Sequence, residues 1–218
     1  MDTSKFPSLA QQMVEKKMFL NPTLGAEFQA SSKAIDDIVR LNAAFASGPI
    51  VAGIPESVRS RYAAAYRFEG REATPQSAEG YRRAGMFVKE FADRGGKIVA
   101  GTDNNGGNRT PGLSLHQEMR MLAEVGVKPM QVIQAATSWG AEAWGKANDV
   151  GTLQPGKRAD ILILNRNPLD DIKATTDIFR IIQGGSVIDR EGLAKWQDIV
   201  PRPALEHAGG FRGHLHDA

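Results

Sequence analysis

"GGKIVAGTDNNGG", residues 95–107, joins a helix, a strand and a loop within thirteen positions. Ahead of it, residues 76–94 place Phe87, Val88 and Phe91 at helical spacing, the pattern of a helix with one buried face. Gly95-Gly96 stops that helix, and the apolar run Ile98-Val99-Ala100 follows at once as a strand over 97–102. A helix passing through two glycines into a buried strand is the step from which parallel α/β architecture is built. The strand closes on Gly101-Thr102-Asp103 and an Asn/Gly-rich loop. A carboxylate therefore stands where parallel α/β folds present groups to a ligand, at the C-terminal end of a strand.

On position alone two roles are open to Asp103. It can hold a cation or take a proton from a metal-bound water. It can equally cap the following loop through its own backbone, as Asp and Asn often do.

Upstream, Pro7 suits the first turn of a helix over 7–16, with Ser4 as a possible cap and Leu9, Met13 and Val14 on one face. Met18-Phe19-Leu20 is a brief strand closed by Asn21-Pro22. Residues 31–47 carry Ile35, Ile38, Val39 and Phe45 at helical spacing, and a further helix is expected around 55–67. Downstream, Ser114 and Gln117 have the spacing of a capping box for a helix to about Val125. Pro129 starts another helix to about Ala136, and a short piece over 138–144 ends at Gly145. At about residue 149 the texture changes. Val150–Leu153, the turn Gln154–Asp160 and the run Ile161–Leu164 have the form of a β-hairpin, and 178–188 forms a second one around Gly184-Gly185. Three parts follow: α/β over 1–148, a small β module over 149–190 and a C-terminal tail over 191–218.

The bulk numbers exclude several classes. A chain of 218 residues with a formal charge of +2 and scattered basic residues gives no reason to expect nucleic acid or an anionic membrane as partner. No apolar run reaches membrane-span length, and residues 1–17 lack the apolar core of a signal peptide, so the cytoplasm is the default compartment. The absence of cysteine removes thiolate metal sites, disulfides and a Cys nucleophile.

The order of segments carries more. Strand, Gly101-Thr102-Asp103, Gly-rich loop, the helix ending Ala135-Ala136-Thr137, then "VGTLQPGKRADILIL" and "FRIIQGGSVI" resembles the C-terminal part of the metal-dependent amidohydrolase superfamily. The imidazolonepropionase-like and prolidase-like branch is the nearest, and "KKMFLNPTL" resembles its seventh barrel strand. The resemblance runs over about residues 1–190. It implies an α/β fold: the C-terminal portion of a (β/α)8 barrel, strands seven and eight with their helices, plus part of a β-sandwich. It implies a small-molecule substrate with a carbon–nitrogen bond: an amide, a cyclic amide or a peptide. A divalent metal, zinc the expected one, activates water in such enzymes. Asp103 matches the carboxylate that binds that metal and moves the proton. The family's remaining ligands, an H-x-H pair, a Lys or acidic residue and two further histidines, have no counterpart by position in these 218 residues. The expectation is a chain that holds no metal tightly and is inactive alone until an N-terminal segment or another chain completes the barrel. The competing class is a non-catalytic truncated relic or interaction module.

Further residues carry two readings each. Asn104, Asn105 and Arg109 follow Asp103 and match pocket-facing loop positions, while Asn-Gly runs are also plain turn formers and Arg109 a plain solvated arginine. His116 either touches substrate or fixes the loop by a hydrogen bond, and Asn21 is a pocket candidate at the end of the earlier strand. His214-Leu215-His216 belongs to the tail and is read as adventitious. Trp139, Trp144 and the methionines are expected in the core, and Asp160 is expected to brace a turn through backbone hydrogen bonds.

Overall fold

The helix ahead of the glycine pair forms because three local signals agree. Thr74 stands at its N-terminus and accepts the Ser77 N–H at 3.1 Å, Pro75 occupies the first turn, and Val88 and Phe91 are buried on one face. In the computed structural model, which describes residues 2–28, 31–33, 73–103 and 112–189, it is α3 (Pro75–Asp93). Gly95 ends it at φ +82°, and a Cβ on Gly96 would fall 2.5 Å from the Phe91 ring, so the turn needs a glycine there.

Ahead of α3 lie α1 (Phe6–Glu15), β1 (Phe19–Leu20) and α2 (Leu24–Glu27). After it come β2 (Lys97–Ile98), α4 (Leu113–Glu124), α5 (Pro129–Ala135), α6 (Ser138–Ala143), β3 (Ile161–Leu164), a 3-10 turn (Ile172–Thr176), β4 (Ile178–Gln183) and β5 (Ser186–Val187). None of the described helices is long and apolar enough to cross a membrane. The described elements belong to a compact unit ending at Ile188; of the helix expected over 31–47 only residues 31–33 are described, and the one expected around 55–67 lies outside the described residues.

β1 and β2 pair in parallel, Phe19 opposite Lys97 and Leu20 opposite Ile98, and Val99 N–H extends the ladder to Leu20 C=O at 2.9 Å. Ile98, Phe91, Met121, Leu122 and Val132 are fully buried around this pair, drawn from α3, β2, α4 and α5. The second sheet is antiparallel in the order β3-β4-β5, with a bulge between Ile163 and Leu164.

Several local expectations give way to tertiary structure. α4 opens at Leu113 from Gly112 at φ +80°, not from Ser114, which is buried in the first turn, so Ser114 and Gln117 form no capping box. The turn before α1 is capped by Asp2, which accepts the Ser4 N–H, and α1 buries Phe6 and Ala10 while Leu9 is exposed. Val150–Leu153 forms no strand: Gly151, at φ +95°, sits against Ala141, Ser138 and Thr137, which takes these residues out of any ladder. β3 pairs with β4 instead. Trp139 packs on the core, whereas Trp144, at the C-cap of α6, is 82% exposed, and Met18, Met86 and Met130 are also exposed.

Asp160 braces the turn between β4 and β5, not the 154–160 turn of its own motif. It accepts the Gly184 N–H at 2.8 Å and pairs with Arg158, and these contacts, the amide first, hold its carboxyl below the usual range.

Candidate functional site

Because β1 and β2 run parallel and side by side, their C-terminal ends emerge together. β1 leads into Asn21-Pro22-Thr23 and β2 into Gly101-Thr102-Asp103. The Gly101 N–H donates to Asn21 Oδ1 at 3.1 Å. A Cβ on Gly101 would lie 2.5 Å from the Asn21 amide atoms, so this close approach is open to glycine alone. From the helical layer, Ala135 C=O at the end of α5 accepts the Ala100 N–H at 3.1 Å. The "A-A-T" helix end and the strand end are thus hydrogen-bonded directly. Asp103, two residues past Gly101, is exposed and adopts φ +45°, a left-handed conformation that Asp tolerates better than most residues.

Of the residues singled out from sequence, Asn21 and Asp103 are brought to the same strand ends. His116 is engaged elsewhere: its Nδ1 lies 3.0 Å from Thr175 Oγ1, and one turn on, Arg120 donates to Thr176 Oγ1 at 3.1 Å. Both side chains tie α4 to the 3-10 turn at 172–176. Burial, and then the Arg120 charge, push the His116 imidazole below its ordinary pKa of 6.5. Asn104, Asn105, Arg109, His214 and His216 lie outside the described residues.

Among the described residues no group of three or more His, Cys, Asp or Glu side chains could hold a metal ion. One carboxylate at a strand end does not fit a resident metal, which needs three or four protein ligands. A cavity of about 320 Å³ opens elsewhere, against Tyr81, Gly85, Met86 and Glu124, and neither Asn21 nor Asp103 lines it.

The residue that sequence reading passes over is Glu118. It is fully buried in α4, and its carboxylate accepts the N–H groups of Leu24 at 2.9 Å and Gly25 at 2.7 Å. The signal was present. Leu115, Glu118, Met119 and Leu122 share one helical stripe, and a carboxylate in an apolar stripe needs a buried partner.

Comparison with known proteins places the chain in a family. The S-triazine hydrolase of Gordonia rubripertincta is 28% identical over 158 residues, 62% of this chain and 32% of that protein. The imidazolonepropionase of Geobacillus kaustophilus is 32% identical over 109 residues, 48% of this chain and 26% of that protein. The chain therefore spans about a third or less of the length of these curated relatives. A putative prolidase from Bifidobacterium longum shares the fold, with a TM-score of 0.51 at 24% identity over 83% of this chain and 40% of that one. The model of the amidohydrolase family matches residues 33–189. The chain belongs to the amidohydrolase family.

Proposed function

We propose that this chain carries the strand-end carboxylate of a hydrolase acting on carbon–nitrogen bonds of amides or cyclic amides, with Asp103 in that role. The observation that supports it is the parallel β1–β2 pair. Its shared C-terminal end joins Asn21 to the Gly101 amide and leaves Asp103 exposed two residues on. A carboxylate so placed takes a proton from the attacking water and delivers one to the departing nitrogen. Relatives named for a triazine and for imidazolonepropionate favour a nitrogen heterocycle in the substrate.

In this reading β1 and β2 are strands seven and eight of a (β/α)8 barrel, and β3–β5 are part of a β-sandwich. Two strands do not close a barrel. The β3–β5 sheet leaves Leu162, Phe179 and Val187 more than half exposed. Both features favour completion by further barrel segments, of the same polypeptide or of another, and those segments would supply the ligands that the described residues do not gather.

The test compares amine or ammonia release from a panel of amides and cyclic amides by the full polypeptide that carries this sequence, wild type against Asp103→Asn. Loss of roughly 10²–10⁴-fold at unchanged Tm is expected. Undiminished hydrolysis by the variant would remove Asp103 from the chemistry. The 218-residue chain on its own should hydrolyse nothing and retain no zinc through dialysis. Tight one-to-one zinc would overturn the need for completion and point away from the non-catalytic alternative.

A further inference from the structure

We propose that Glu118 is a positioning residue for Asp103, acting through the loop after β1 rather than by contact. The proposal rests on the reading of Asp103 given above. A fully buried carboxylate is costly unless its charge meets donors. Glu118 meets the first two amides of α2, Leu24 and Gly25, one on each oxygen. Charge-assisted bonds of this kind are the strong ones. Gly25 has no side chain to hold the carboxylate off, since a Cβ there would sit 3.3 Å from Oε2.

The loop that these bonds pin is short. Only Asn21, Pro22 and Thr23 separate β1 from α2. Pro22 has a fixed φ, and Thr23 stands at φ +47°. A left-handed β-branched residue costs about 1–3 kcal/mol and persists only where its surroundings over-determine it. The β1 ladder fixes one end of the loop, and Glu118 fixes the other. Asn21 is then held where its Oδ1 takes the Gly101 N–H at 3.1 Å. Gly101 is two residues from Asp103. The path from α4 to the strand end thus consists of backbone amides and one side-chain amide, each link a hydrogen bond or a three-residue span. An apolar side chain at position 118 would fill the same core volume without reaching the loop.

The test is site-resolved amide hydrogen exchange on the full polypeptide that carries this sequence. The set is wild type, Glu118→Gln, Asn21→Leu, the double variant and Asn21→Asp. Glu118→Gln keeps the shape and one acceptor but loses the charge. The expected result is exchange at Gly101 faster by at least about tenfold, the scale of one charge-assisted hydrogen bond. The Ile188 amide, held by Ile181 C=O in the far sheet, should not change. Asn21→Leu should accelerate Gly101 to a similar degree, the double variant should add nothing further, and Asn21→Asp, which keeps the acceptor oxygen, should restore protection. Faster exchange at Leu24 and Gly25 with Gly101 unmoved would overturn the proposal. So would equal acceleration at Gly101 and Ile188, or additive effects in the double variant. Failure of the Asp103 reading is detected separately, because Asp103→Asn changes hydrolysis and leaves these exchange rates alone.

Discussion

Replacing Gly151 by Ala asks whether the "VGTLQPGKRAD" motif and the "A-A-T" helix end are one packed unit. Two costs can be worked out. Gly151 has φ +95°, a conformation that costs an L-residue about 1–2 kcal/mol. The added Cβ would lie 2.7 Å from Ala141 Cβ and 3.1 Å from both Ser138 Cα and Thr137 C=O. Two of these three neighbours are backbone atoms of the α6 region and cannot swing aside, so overpacking adds about 1–3 kcal/mol. The sum is about 2–5 kcal/mol. Gly156 supplies the internal control. It has φ +86° but nothing within 4 Å of its Cβ position, so Gly156→Ala carries the conformational cost alone, about 1–2 kcal/mol. Urea titrations of both variants and wild type, followed by circular dichroism, measure the difference. Gly151→Ala should lose roughly 1–3 kcal/mol more than Gly156→Ala. In thermal melts at about 2–4 °C per kcal/mol, Gly151→Ala should melt some ~4–20 °C below wild type. Equal losses in the two variants would refute the packing argument, because only the shared backbone conformation would then matter.

Three further outcomes follow from burial and charge. The folded His116 imidazole titrates below 6.5, so the unfolded chain takes up the proton first. That contribution to stability is complete above 6.5 and is lost as pH falls through the folded pKa. His116→Gln should flatten the urea midpoint against pH as the pH falls below 6.5, and an unchanged slope would refute it. Phe91→Ala, at a fully buried ring, should cost about 3–5 kcal/mol. Trp144→Ala, at an 82% exposed ring, should stay within about 0.5 kcal/mol in the same titration.

The elements legible in the sequence are those whose causes are local. α3 could be read because its cap, its apolar spacing and its glycine stop all lie within residues 74–96. Asp103 could be placed because the run Ile98-Val99-Ala100 leads to it, although the strand expected over 97–102 is confined to Lys97–Ile98. The start of α4 was obscured because a positive-φ glycine mimics no capping pattern, while Ser114 mimics one and is buried. The partner of β3 was obscured because Val150–Leu153 has strand-like residues and is claimed by the packing of Gly151 on α6, leaving 178–183 to pair across the intervening turn. Asn21 was visible only as a strand-end residue. Its bond to Gly101 crosses 80 positions and depends on β1 lying beside β2, which no local pattern specifies. Glu118 left a trace, a carboxylate in an apolar stripe, but its partners lie more than 90 positions away.

Burial is distributed unevenly, and that bears on how a complete site would form. Around β2 the core is finished: Phe91, Ile98, Met121, Leu122 and Val132 have no apolar surface left to give. The β3–β5 sheet is unfinished, with Leu162, Phe179 and Val187 more than half exposed. Covering side chains of this kind contributes up to about 1.5–3 kcal/mol each, whereas nothing remains to be gained at Ile98. Segments laid on this sheet would therefore gain hydrophobic energy away from the strand end that bears Asp103. The strand end is set beforehand by the β1 ladder, by Asn21 on Gly101 and by Ala135 on Ala100. On the proposed reading, completion would add ligands to a carboxylate whose backbone is already placed, which is the order that keeps the reorganisation cost of assembling a site low.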